Sequence, residues 1–197
     1  WCSSPPVCCA RPPRSRMGAR LPVVLLWHMH QPQYRDAFTG EYVQPWTTLH
    51  ALKDYADMAA HLEANPAARA VVNFTPVLLE QLEDLAGEVR SCLEGAAALH
   101  DPVLASLVDA APIDPAKRLA LLRALLRAQR AQMIEPLPVF RELVDIATTL
   151  ATPERIAYAS DALIADLAVW YHLAWTGETI RRGDARVHSG LPAVSGR

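Results

Sequence analysis

Hydrophobic order begins at Leu21, where LPVVLLWHMHQP runs apolar and β-branched until Pro32. A continuous run of this kind predicts a strand buried on both faces of a parallel sheet, ending near His30. After a polar, aromatic stretch, the segment from Thr47 to Ala64 places Leu49, Leu52, Ala56, Ala59 and Leu62 at steps of three and four. That spacing predicts an amphipathic helix, closed by Asn65-Pro66. Val71-Val72-Asn73-Phe74 reads as a second short buried strand. Strand, helix and strand in this order form a βαβ unit, so the two strands should lie parallel in one sheet.

Beyond Thr75 the pattern is helical. Thr75-Pro76, Asp101-Pro102, Asp114-Pro115 and Thr152-Pro153 each pair a side-chain oxygen for the N-cap with proline at the first helical position, where its missing N–H is not needed. Leu119, Leu122, Leu126 and Met133 suggest a buried stripe, with Arg118, Arg123, Arg127 and Arg130 as a solvated basic face. The last helix is expected to run from Pro153 to about Trp175 and to stop at Gly177 in a left-handed cap.

The chain thus divides into a disordered segment over 1–20, a folded unit over 21–182 and a loose tail over 183–197. Met17 is a candidate start. Two parallel strands leave both sheet edges unpaired, so the pattern predicts the front part of a larger α/β domain whose other strands lie elsewhere.

Composition narrows the function. At 51% hydrophobic and 20% charged residues the chain has the balance of a folded domain. A formal charge of -2 lacks the concentrated basic excess of a nucleic-acid or anionic-membrane partner, so neither is expected. The Leu21–Trp27 run falls far short of the ~20 residues that cross a bilayer. Arg14, Arg16 and Arg20 precede it as in a signal peptide, but it leads into His-Met-His rather than a small-residue cleavage site, and a cytoplasmic protein is expected. Cys2, Cys8 and Cys9 crowd the first nine residues and Cys92 stands alone, which offers neither a disulfide framework nor a zinc site.

The candidate chemistry lies at Trp27-His28-Met29-His30-Gln31-Pro32. Side chains alternate along a strand, so His28 and His30 share a side at the carboxyl end of the first strand, where α/β folds gather their active sites. A lone strand histidine is usually a satisfied core residue; two on one side, followed by Gln and Pro, favour polar recognition of hydroxyl groups. Pro32 fixes the exit direction. Trp46, at a helix mouth, is either a stacking platform for a sugar ring or a packing staple. His50, Lys53 and Asp54 are neighbours on one helical face, where a surface salt bridge is the plainer reading. Asn73, at the end of the second strand, is expected near the histidines.

In order and spacing, VLLWHMHQPQY, PWTTLHALKDYADMAAHL and VVNFTPVLLEQLEDL resemble the N-terminal region of glycoside hydrolase family 57, and VWYHLAWTG is similar to an aromatic segment of its amylase-like members. The resemblance covers roughly Leu21 to Arg181. It implies the N-terminal part of an incomplete (β/α)7 barrel, mostly helical here because of a helical insertion after strand two. It also implies α-amylase or 4-α-glucanotransferase chemistry on α-glucans, by retention, without a cofactor or metal. Retention needs two carboxyl groups about 5–5.5 Å apart. No residue here matches either catalytic motif, and Glu80, Glu83 and Asp84 are not promoted to that role. The resemblance therefore assigns no catalytic residue to this chain. It assigns substrate binding to His28, His30 and Gln31, with Pro32 shaping the element, and carries a weaker expectation of contact for Trp46, His50, Lys53 and Asp54.

Two other readings compete. A His-x-His pair at the end of a first strand also resembles the metal-binding start of amidohydrolases, although Leu26 and Trp27 stand where an acidic residue is usual. The Leu/Ala/Arg-rich stretch from Asp114 to Ile134 could instead belong to a non-catalytic helical interaction module, for which the two strands would have no use.

Overall fold

The computed structural model describes residues 23–185; the segments 1–22 and 186–197, with Leu21, Cys2, Cys8, Cys9, the segment expected to be disordered and most of the expected tail, lie outside it. Strands β1 (Leu26–Met29) and β2 (Val71–Phe74) pair in parallel, with Leu26 opposite Val71, His28 opposite Asn73 and Met29 opposite Phe74. Between them runs one helical stretch: α1 (Trp46–His50), a π-helical turn (Ala51–Tyr55) and α2 (Ala56–Ala64).

The first strand is shorter and more open than its apolar run predicts. Val23 and Val24 precede the strand at 74% and 78% exposure, Leu26 is 64% exposed, and Met29 alone in β1 is buried. The second strand, expected to be buried, is open as well, with Val71 and Phe74 exposed. The reason is the sheet itself: each strand pairs with one other, and residues patterned for cover on both faces meet solvent instead.

After β2 every described element is helical: α3 (Pro76–Leu93), α4 (Pro102–Ala105), α5 (Pro115–Leu125), α6 (Pro138–Leu150), α7 (Asp161–Trp175) and α8 (Glu178–Gly183). The chain is therefore a mostly helical α/β structure with a small parallel sheet. Buried positions step at helical intervals, with Phe140, Val144 and Ala147 on α6 meeting Ile164, Leu167, Ala168 and Tyr171 on α7. Leu49 of α1 is buried in the same core, so α1 bridges α3, beside the sheet, and α7, in the helical body.

The local start signals work where the side chain reaches the backbone. Asp101 accepts from the N–H groups of Val103 and Leu104, and Asp114 from that of Lys117 at 2.8 Å. Thr75 precedes α3 without a side-chain cap bond, and its hydroxyl is buried without a partner. Thr152-Pro153 starts no α-helix. The Thr152 carbonyl closes turns onto Arg155 and Ile156, Ile156 and Ala159 enter the core, and the last long helix begins eight residues later under a Ser160 cap. Burial of those two apolar side chains overrides the local signal.

The expected helix through Ala116–Ile134 also divides, into α5 and a separate π-helical turn at Arg130–Ile134. Its arginines are tethers rather than a free basic face. Arg118 bonds Asp161 and the Ala159 carbonyl, Arg123 the Ala151 carbonyl, Arg127 the Gln44 side chain, and Arg130 both Glu135 and Asp145.

Gly177 is not a left-handed cap: its φ is −53°. A Cβ there would lie 2.8 Å from an Asp57 carboxylate oxygen and 3.1 Å from the Lys53 carbonyl, so close approach is what requires glycine. Among the described residues no helix is long and apolar enough to cross a membrane.

Candidate functional site

The carboxyl end of β1 forms an exposed ledge. The His28 and His30 rings stack with centroids 5.8 Å apart and planes 9° from parallel, as alternation along a strand requires. Strand register puts Asn73 opposite His28, and its side-chain oxygen lies 2.7 Å from His28 Nδ1. An amide oxygen only accepts, so Nδ1 donates, and in the neutral ring Nε2 is then an acceptor suited to a hydroxyl group.

Gln31 turns toward the helical body and donates to the Tyr55 hydroxyl at 3.2 Å. The chain that follows is held by Gln81, a residue the sequence pattern did not bring forward. Gln81 is 1% exposed. Its amide nitrogen donates to the Pro32 carbonyl at 3.0 Å and to the Val77 carbonyl at 3.1 Å. Its amide oxygen accepts from the Tyr34 N–H and the Thr47 hydroxyl, so one side chain joins the end of β1, α3 and α1. The available signal was a polar residue on the buried stripe of α3, between Leu78 and Leu85. Of the acidic residues nearby, Asp84 forms an ion pair with Arg35, while Glu80 and Glu83 point to solvent.

Trp46 opens α1 and packs edge-on against Trp175, ring centroids 6.2 Å apart, with the His50 ring 6.3 Å away. His50 Nδ1 hydrogen-bonds Asp54, and Lys53 donates to the other Asp54 oxygen at 3.2 Å. Burial pushes the Asp54 carboxyl up, but these two partners outweigh it and hold the group below its ordinary value. The cluster is more than a surface salt bridge, because it walls a cleft of about 680 Å³. Trp46, His50, Lys53 and Asp54 line it together with Arg127, Gln132, Trp175 and Arg181.

The π-helical turn contributes Lys53 and Asp54 to this cleft, and such a local widening of the helix often accompanies functional sites. Its Leu52 carbonyl accepts from the Gly177 N–H at 2.9 Å. Asp57, just beyond the turn, accepts from the N–H groups of Glu178 and Thr179. Burial raises the Asp57 carboxyl, and the two N–H groups bring it below its usual value. The junction of α7 and α8 is thereby fastened to the segment carrying His50, Lys53 and Asp54.

The predicted site residues fall into two linked groups. His28 and His30 form the ledge, and Trp46 belongs to the cleft with His50, Lys53 and Asp54. Gln31 connects them, since Tyr55, its partner, lies 6.3 Å from His50 ring to ring. Trp175, Arg127, Gln132 and Arg181 were not singled out as site residues, because they join the cleft only through tertiary packing. Among the described residues no three His, Cys, Asp or Glu side chains gather as a metal centre would need.

The family model described as Glycosyl hydrolase family 57 matches residues 24–180, from just before β1 into α8. The chain belongs to glycosyl hydrolase family 57. No match to it was found among the curated proteins or among the solved structures. Membership of glycosyl hydrolase family 57 implies glycosidase or glucanotransferase chemistry and makes carbohydrate the substrate class. Both the histidine ledge and the aromatic cleft lie inside the matched span.

Proposed function

We propose that this chain forms the N-terminal part, residues 21–182, of a retaining α-glucan hydrolase or 4-α-glucanotransferase built on an incomplete (β/α)7 barrel. His28, His30 and Gln31 hold the glucose unit beside the scissile bond, and Trp46 offers an aromatic surface to the glucan. The observation that carries this reading is the stacked His28–His30 pair, with the His28 proton fixed by Asn73, at the carboxyl end of a parallel strand in a member of this family. Retaining cleavage uses one carboxylate to attack the anomeric carbon and a carboxylic acid to protonate the leaving oxygen. This reading places both acids in polypeptide outside the 197 residues. The role left to the ledge is orientation: imidazole and amide groups fix the hydroxyls so that the anomeric carbon meets the nucleophile in line.

The test has two arms. The purified 197-residue chain should release no reducing sugar from soluble starch. In a polypeptide that includes both acids, His30→Ala should lower turnover by about 10–100-fold at unchanged melting temperature. Starch hydrolysis by the chain alone, or equal loss of folding and activity in the variant, contradicts the proposal.

A further inference from the structure

We infer that the cleft lined by the π-helical turn, the α7–α8 junction and the segment 127–133 is a saccharide site of its own, taking a neutral glucan segment on residues other than the His28–His30 ledge. The inference rests on the carbohydrate reading above and adds a second location to it.

Three observations converge on this cleft. The first is a pair of poorly satisfied donors: the Arg181 Nε–H is buried and meets no acceptor, and the buried Trp175 indole N–H has only the Tyr171 hydroxyl near it, although both residues line the cleft. A buried donor without a partner is costly, so a side-chain rotation that brings it to a ligand oxygen is favoured. The second is charge. Lys53, Arg127 and Arg181 are balanced by Asp54, Asp57 and Glu178 in the cleft wall. Each of these acids is already engaged, Asp54 by His50 and Lys53, Asp57 by two backbone N–H groups, and Glu178 by Arg182. A balanced wall with no spare carboxylate favours an uncharged polar ligand over a cation or a phosphate. The third is shape and surface: Trp46 and Trp175 supply aromatic area, and a cleft of about 680 Å³ has room for two or more sugar rings. His50 completes the set: its Nδ1–H donates to Asp54, and in the neutral ring Nε2 is then an acceptor. Donors at Trp175 and Arg181 with an acceptor at His50 match sugar hydroxyls, which both give and take hydrogen bonds.

The test is calorimetric titration of maltohexaose into the 197-residue chain and its variants, with inorganic phosphate as a second probe. Trp175→Phe keeps the ring and removes the N–H, and Arg181→Gln removes the guanidinium. Each should weaken maltohexaose binding about tenfold, while the exposed Glu80→Ala, outside both ledge and cleft, changes it by less than about twofold. If Arg181→Gln does not fold, the exposed Arg127→Ala replaces it, with the same weakening expected. Binding that is lost in His30→Ala but kept in the cleft variants overturns the cleft and leaves the ledge standing. Binding of phosphate in preference to maltohexaose, or no maltohexaose binding by the unsubstituted chain, also overturns the cleft; turnover of His30→Ala in the longer polypeptide then decides the ledge separately.

Discussion

Gln31 and Tyr55, 24 residues apart, meet through a single hydrogen bond of 3.2 Å from the Gln31 amide to the Tyr55 hydroxyl. This bond ties the end of β1 to the π-helical turn and so couples the histidine ledge to the cleft wall. Tyr55→Phe keeps the ring packed near His50 and removes the acceptor. It should destabilise the chain by about 1 kcal/mol, read as a lower urea midpoint at unchanged slope. An unchanged midpoint would show that the contact holds nothing in place.

Gln81 should be far more sensitive. Gln81→Leu retains much of the volume but strands the Pro32 carbonyl, the Tyr34 N–H and the Thr47 hydroxyl, all part of the link between β1, α3 and α1. We expect a loss of about 3 kcal/mol in urea unfolding, against less than about 0.5 kcal/mol for the exposed neighbour Glu80→Ala. Similar losses in the two variants would refute the role given to Gln81.

Stability should fall in mild acid because of His172. Burial pushes its pKa down from the ordinary 6.5, opposed by the Ala168 carbonyl bonded to Nδ1 and by the nearby Asp101 carboxylate. The folded state therefore binds fewer protons than the unfolded state. Its contribution is complete above pH 6.5 and shrinks as pH drops from there toward the depressed folded value. Urea midpoints measured from pH 8 to pH 5 should decline less steeply for His172→Phe than for the unsubstituted chain. Parallel profiles would remove His172 as the source.

Legibility in the sequence tracked how local each interaction is. Val71–Phe74 and the caps at Asp101 and Asp114 depend on neighbours within a few residues, and they lie where the pattern puts them. The Thr152-Pro153 signal carries the same local chemistry, yet the core claims Ile156 and Ala159 and the helix starts later. Gly177 reads as a helix stop but is small because Asp57 and Lys53 crowd it from 120 residues away or more. The site divides along the same line. Stacking of His28 on His30 follows from strand geometry, whereas the Gln81 bracket and the Trp175–Arg181 wall arise when α3, α7 and α8 pack against α1 and α2.

The most direct measurement is a crystal structure of the polypeptide that includes both catalytic acids, bound to an α-glucan oligosaccharide. The account predicts glucose hydroxyls within about 3.2 Å of His28 Nε2 or His30 and of the Gln31 amide, beside the carboxyl pair. An oligosaccharide bound next to that pair with the His28–His30 ledge untouched would contradict it.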